Sequence, residues 1–143
     1  GVQTYVQGRK YAGEWKDNSV YKGVFTWYNG DIYIGELDGD VPHGFGTIYF
    51  KQRGDIYEGQ WKKDKMDGQG IYIMRVDDSE YTIYVGDFKD NKFDGLGLYT
   101  TPDGIKYYGH FKKGLRHGEG KLIYPNRESL EVFCKEDICS EIK

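Results

Sequence analysis

A chain of 143 residues, 38% hydrophobic and 17% aromatic, is too rich in apolar side chains and rings to be a disordered segment. Its formal net charge of −3 leaves no footprint for nucleic acid, and no apolar run approaches the roughly 20 residues of a membrane helix. The composition is unusual in kind: 14 Tyr, 7 Phe and 3 Trp stand beside 21 Gly and only 3 Pro, which suits many tight turns.

Residues 1–10 open with Gly1-Val2-Gln3-Thr4-Tyr5 and resemble Gly23-Val24-Phe25-Thr26-Trp27; each set lies ten residues before a Tyr-x-Gly. The chain therefore reads as starting in mid-repeat, as a fragment of a longer protein would. Full copies follow, opening Tyr11-Ala12-Gly13-Glu14-Trp15, Tyr33-Ile34-Gly35-Glu36-Leu37, Tyr57-Glu58-Gly59-Gln60-Trp61, Tyr84-Val85-Gly86-Asp87-Phe88 and Tyr107-Tyr108-Gly109-His110-Phe111. Their spacings, Tyr to Tyr, are 22, 24, 27 and 23, the period of a repeat array in which each unit leans on its neighbours.

Within a copy, positions one, three and five share one face of a strand because side chains alternate, and the residues between them are largely polar. A polar pair comes next: Asp17-Asn18, Gly39-Asp40, Lys63-Asp64, Asp90-Asn91 and Lys113-Gly114. Such residues accept the positive φ of a two-residue hairpin turn. The chain returns through His43-Gly44, Asp67-Gly68, Asp94-Gly95 and His117-Gly118, where glycine lets a strand bulge, into Gly-x-Gly and a β-rich run such as Ile71-Tyr72-Ile73-Met74. The first copy has only Gly23 in the Gly-x-Gly role and a loop one residue shorter. A second turn closes the unit at Asn29-Gly30, Arg53-Gly54 and Pro102-Asp103-Gly104, and Arg75 to Ile83 makes a longer loop.

After Tyr124 the pattern decays, and Ser129 to Lys143 reads either as a final strand or as partly helical. The expected fold is all-β, an elongated, twisted, single-layer meander of about twelve antiparallel strands. The array occupies 1–134 and a cap or tail 135–143. The two cysteines, Cys134 and Cys139, read as free thiols rather than half of a metal site, which favours a reducing intracellular compartment.

A glycine inside a strand costs backbone entropy unless something fills the space it leaves. Gly13, Gly35, Gly59, Gly86 and Gly109 are expected to make that space, with an aromatic ring of an adjacent strand laid across it. His43, His117 and His110 read as turn and loop residues, since His43 and His117 hold one repeat position three units apart. The Gly-x-Gly pairs precede no helix and no Gly-Lys-Ser/Thr, so they are not phosphate cradles, and no catalytic grouping recurs.

Tyr-Glu-Gly-Gln-Trp-Lys-Lys-Asp-Lys-Met-Asp-Gly-Gln-Gly (57–70) and its copies resemble the MORN (membrane occupation and recognition nexus) repeat over roughly residues 11–124. The resemblance implies successive hairpins with an aromatic-lined concave face. It also implies non-catalytic work in the cytoplasm, at cytoskeletal or cortical assemblies. That work is scaffolding, homodimerisation or binding of a peptide or helix segment, with no cofactor and no metal. The expected partner-binding residues are Tyr33, Tyr57, Trp61, Tyr72, Tyr84, Phe88 and Tyr99. A rival reading places anionic lipid on the basic tips formed by Lys62, Lys63, Lys65, Lys112, Lys113 and Arg116. A third makes the chain a regulatory module of a larger enzyme.

Overall fold

A computed structural model describes residues 4–6, 9–16, 19–39 and 41–142. The turn expected at Asp17-Asn18 lies outside them, as do Asp40 and residues 1–3, 7, 8 and 143. The strands are β1 (Thr4–Val6), β2 (Arg9–Lys16), β3 (Ser19–Trp27), β4 (Ile32–Asp38), β5 (Val41–Phe50), β6 (Asp55–Lys62) and β7 (Lys65–Arg75). They continue as β8 (Tyr81–Lys89), β9 (Lys92–Thr100), β10 (Lys106–Lys112), β11 (Leu115–Ile123), β12 (Ser129–Lys135) and β13 (Ile138–Glu141).

All thirteen lie in one sheet in sequence order, each antiparallel to the next. At the usual spacing between strands the row is about 60 Å long. The expected meander of about twelve antiparallel strands in a single sheet is what forms, with β12 and β13 supplied by the C-terminal stretch. That stretch is strand, not helix: Glu136 and Asp137 (φ 47° and 72°) turn the chain as the other repeats do. The same two-residue geometry appears at Lys63-Asp64 (47°, 74°), Asp90-Asn91 (49°, 71°) and Lys113-Gly114 (51°, 87°), as the sequence predicts. Two positive φ values in succession match the right-handed twist of the flanking strands.

The returning strand of each full repeat bulges. In the third unit Gly59 pairs with Gly70, yet Trp61 pairs with Met66, so the returning strand carries two extra residues there. Gly68, at φ 105°, supplies the bend, and the Gln60 side chain plugs it by accepting the Gln69 amide at 2.7 Å. Glu36 accepts from the Phe45 amide (3.1 Å) and Asp87 from the Leu96 amide (2.9 Å) in the same way. In the first unit the register slips by one residue only, matching its shorter loop.

The bulges align the glycines. Gly13, Gly23, Gly35, Gly46, Gly59, Gly70, Gly86, Gly97, Gly109 and Gly120 are cross-strand partners in an unbroken line over ten strands. A Cβ on Gly59 would meet the Gly70 Cα and the Gln69 carbonyl oxygen, each at 2.5 Å. The rings lie over the second glycine of each Gly-x-Gly, where a Cβ on Gly70 would stand 2.4 Å from the Tyr57 ring and one on Gly97 2.3 Å from that of Tyr84. The expectation that the Tyr-x-Gly glycine carries the ring is thus corrected. Gly35, Gly59, Gly86 and Gly109 chiefly allow the strands to meet glycine to glycine, and Gly13 does the same against Gly23.

Candidate binding groove

The tyrosines that open repeats two to five lie along their own strands. Tyr33, Tyr57, Tyr84 and Tyr107 donate their hydroxyls to the carbonyl oxygens of Glu36, Gln60, Asp87 and His110 at 2.6, 2.7, 2.7 and 3.1 Å. Each phenol therefore spans the glycine line and is sealed. Burial pushes the hydroxyls of Tyr33, Tyr57, Tyr72 and Tyr84 well above the usual phenol range, so they remain neutral donors.

Position five clamps neighbouring tyrosines edge to face. Trp61 sits 5.4 Å from Tyr33 and 5.2 Å from Tyr57; Phe88 sits 4.8 Å from Tyr57 and 5.1 Å from Tyr84; Phe111 sits 5.2 Å from Tyr84 and 5.3 Å from Tyr107. Each T-shaped pair adds about 0.5–1.5 kcal/mol beyond area burial. Trp61 also donates its indole N–H to the Gly46 carbonyl at 3.0 Å. Successive units are thereby riveted to one another.

Above this layer lies an open groove of about 680 Å³. Its floor is Trp27, Ile48, Phe50, Trp61, Tyr72, Met74, Phe88 and Phe93, and its long rims carry Asp31, Arg53 and Asp55 on one side and Asp64, Asn91 and Lys92 on the other. A second depression of about 440 Å³ continues past Met74 and Phe93 to Tyr99, Phe111 and Leu122. Asp55 is buried at the rim, where it accepts from the Tyr72 hydroxyl (2.9 Å) and the Arg75 amide (3.0 Å).

Of the expected binding residues, Trp61, Tyr72 and Phe88 line the groove and Tyr99 lines its continuation. Tyr33, Tyr57 and Tyr84 do not: each is 0% exposed, its ring consumed by glycine packing beneath the floor. Trp27, Phe50, Met74 and Phe93, with Ile48 between them, are floor residues that sequence reasoning missed. The first three recur two residues after the Phe25, Ile48 and Tyr72 positions, a signal the returning strands carried in plain view.

The basic tips differ from expectation as well. Lys62 and Lys65 are direct cross-strand partners, and so are Lys89 and Lys92, which the sequence reading left out. Lys63 and Lys113 lie in the turns. Arg116 points inward, 2.7 Å from Asp137 and with its guanidinium 5.7 Å from the Tyr107 ring. Arg116 in turn holds the Asp137 carboxyl below its ordinary range. His43, His110 and His117, expected in turns and loops, lie instead on β5, β10 and β11, and Asp94 lies on β9; His43 and Asp94 brace the turn of the next hairpin, accepting from the Lys63 amide (3.1 Å) and the Lys113 amide (3.2 Å).

The free-thiol reading of the cysteines is overturned, because Cys134 and Cys139 form a disulfide between β12 and β13. They face each other across a two-residue turn, five positions apart, where Trp61 faces Met66 and Phe88 faces Phe93 in other units.

The sheet, the glycine line and the sealed tyrosines define an all-β array of repeated hairpins with one aromatic face. The MORN repeat family matches at residues 22–32, 33–53, 57–75, 84–106 and 107–129, and the chain belongs to that family. The MORN repeat is a non-catalytic repeat module. Relatives include phosphatidylinositol 4-phosphate 5-kinase 1 of Oryza sativa subsp. japonica, 52% identical over 46 residues, 32% of this chain and 6% of that protein. MORN repeat-containing protein 3 of Xenopus laevis is 34% identical over 101 residues, 70% of this chain and 33% of that protein. Alsin of Rattus norvegicus is 28% identical over 124 residues, 83% of this chain and 6% of that protein. The chain thus spans a third or less of the length of these relatives.

Proposed function

We propose that this chain is a protein-interaction module whose groove receives an apolar or amphipathic segment of a partner, within a larger scaffold protein. One observation carries the reading: a set of rings packed on the tyrosine layer (Trp27, Phe50, Tyr72, Phe93) also floors an open trough with polar rims. A concave apolar site rimmed by polar groups is where a protein segment gains most by docking. The location proposed is cytoplasmic, at cytoskeletal or cortical assemblies, on the family resemblance alone; the disulfide is the feature that argues against a strongly reducing setting.

The test is capture of partners on the purified chain, followed by binding measurements with each purified partner against wild type and Met74→Lys. Met74 is a partly buried residue of the groove floor, outside the layer that holds the tyrosines. Loss of at least tenfold in affinity with an unchanged melting temperature supports the groove. Equal affinity for the two proteins rejects it.

The facing lysines favour a second reading, anionic membrane binding. Like charges directly opposite across a hairpin are destabilising, and Lys62/Lys65 and Lys89/Lys92 repeat that arrangement on adjacent units along one edge. Cosedimentation with anionic vesicles that weakens with salt and on charge reversal at Lys62, Lys65, Lys89 and Lys92 selects it. A third reading, a regulatory segment of a larger enzyme, draws on the rice relative, whose name is that of a kinase.

A further inference from the structure

Near the tip of each hairpin one cross-strand pair recurs: Leu37 with Pro42, Trp61 with Met66, Phe88 with Phe93 and Phe111 with Arg116. The returning member of each pair, Pro42, Met66, Phe93 and Arg116, lines the groove or its continuation. Cys134 and Cys139 are the next pair in this series, and theirs is the pair joined by a covalent bond.

The two sulfurs stand in different surroundings. Cys134 is 0% exposed within the apolar core, while Cys139 is half-buried and packed against that core. A thiolate arriving from solvent therefore reaches the Cys139 sulfur first. The fold also lends the bond little protection. β13 is four residues long, has β12 as its one neighbour among the described strands, and opens on the well-exposed Ile138. So short an element opens easily. What the bond contributes to the hairpin, the hairpin returns to the bond, and a loop closed over five positions gains little.

The turn between the cysteines carries the consequence into the groove. The Asp137 amide donates to the Arg116 carbonyl (3.0 Å), its carbonyl oxygen accepts from Arg116 Nη2 (2.8 Å), and its carboxylate accepts from Nε (2.7 Å). Arg116, so held, lies over the Tyr107 ring, and Tyr107, Arg116 and Asp137 all line the second depression.

We propose that Cys134–Cys139 is a thiol-exchange site, taking a low-molecular-weight thiol such as glutathione on Cys139, and that its state sets the groove wall at Arg116. The glutathione thiolate attacks Sγ of Cys139 and the S–S bond breaks. Cys134 leaves as a thiolate and takes up the proton that glutathione gave up. A second glutathione thiolate then attacks the glutathione sulfur of the mixed disulfide, and Cys139 leaves and is protonated in turn. Two glutathiones are oxidised to one disulfide, and the protein bond gains two electrons and two protons. In reverse, Cys134 attacks Cys139 and expels glutathione, so the adduct is short-lived in the native chain. With the bond open, β13 loosens, Asp137 releases Arg116, and the guanidinium turns toward the depression. This goes beyond the groove reading and holds whatever the groove receives.

The test equilibrates the purified chain in glutathione buffers graded from the poise of a reducing cytosol to that of an oxidising secretory lumen. Acid-quenched mass spectrometry should show the disulfide replaced by two thiols, reversibly, within that range, with the circular dichroism of the sheet unchanged. In the reduced protein the Asp137 amide and the Arg116 Nε–H should exchange with solvent about tenfold faster or more by NMR, while amides of β6 and β7 keep their rates. Cys134→Ala should accumulate glutathione on Cys139, whereas Cys139→Ala should leave Cys134 about tenfold slower to react, or more. The Cys134→Ala/Cys139→Ala double variant should show the fast exchange in every buffer, which separates loss of the bond from any effect of the reagent. A disulfide that stays closed at the reducing end overturns the proposal. So do equal rates of modification at the two cysteines, or exchange at Asp137 and Arg116 that ignores the state of the bond.

Discussion

Units three and six share a two-residue turn and almost nothing else. From Tyr57 to Met74 the strands bulge at Gly68, meet glycine to glycine, and carry a tyrosine folded across the line. From Leu130 to Glu141 there is no bulge: Val132 pairs with Glu141 and Cys134 with Cys139 in unbroken register. Leu130 stands where Tyr57 stands and Val132 where Gly59 stands, and Val132 is 2% exposed. The two substitutions go together. Without a phenol to seal, no glycine is needed, and a valine can occupy the space. The disulfide then takes the place of the Trp61–Met66 contact.

Forcing unit three toward unit six in a single step should cost most. Gly59→Val drives a side chain into the Gly70 Cα and the Gln69 carbonyl, which are backbone and cannot rotate away. The expected loss is about 3 kcal/mol or more, a fall of roughly 6–12 °C in melting temperature. Gly70→Val meets the Tyr57 ring instead, so adding Tyr57→Leu should recover part of its loss, because unit six, with Leu130 in the tyrosine position, carries Glu141 opposite Val132 where Gly70 stands opposite Gly59. Thermal melts of the single and double variants check both; no recovery would break the coupling between tyrosine and glycine.

Alkali should separate the units next. The raised phenols contribute stability in full below the ordinary tyrosine pKa of about 10, and it is lost as pH climbs beyond that value, since the unfolded chain ionises first. Units two to four carry Tyr33, Tyr57, Tyr72 and Tyr84, and unit six has no tyrosine. Urea melts between pH 8 and 11.5 should show a falling midpoint. Hydrogen exchange should show unit six no more affected than its neighbours require.

Breaking the Cys134–Cys139 bond should cost about 2 kcal/mol locally, given its short loop. Exchange protection should fall at Cys139 and Glu141 while Gly59 and Gly70 keep theirs. Equal loss in both regions would mean the last hairpin is coupled to the whole array.

The smallest effect is acid. Asp137, held below its ordinary range by Arg116, contributes stability above the usual aspartate pKa that fades as pH drops past it. Both partners are partly exposed, so less than about 1 kcal/mol is expected. Asp137→Asn should flatten the acid limb of the melting curve near unit six.

Much of the fold was legible in the residues. Tyr57, Gly59 and Trp61 do share a face, Lys63-Asp64 does turn the chain, and Gly68 does bulge it. The groove was half legible. Trp61, Tyr72 and Phe88 line it, but Tyr57 vanishes beneath it, because whether a ring is floor or foundation depends on the strand beside it. The lysine pairs were hidden for the same reason: they exist only once neighbouring strands are set in register.

What the sequence determined by itself was local: the period, the alternation of faces, and turns whose φ values are set by the two residues that make them. What the tertiary structure decided was every relation across strands. The slip at each bulge, two residues in units two to five and one in the first, lines up ten glycines over ten strands, and in units two to five the second glycine comes under the tyrosine ring. It also leaves Cys134 directly facing Cys139, where no slip occurs. Period and turn geometry follow from neighbours within a few residues. Register is a sum of such local choices, and the bulges that enter that sum gave no count of themselves until the strands paired.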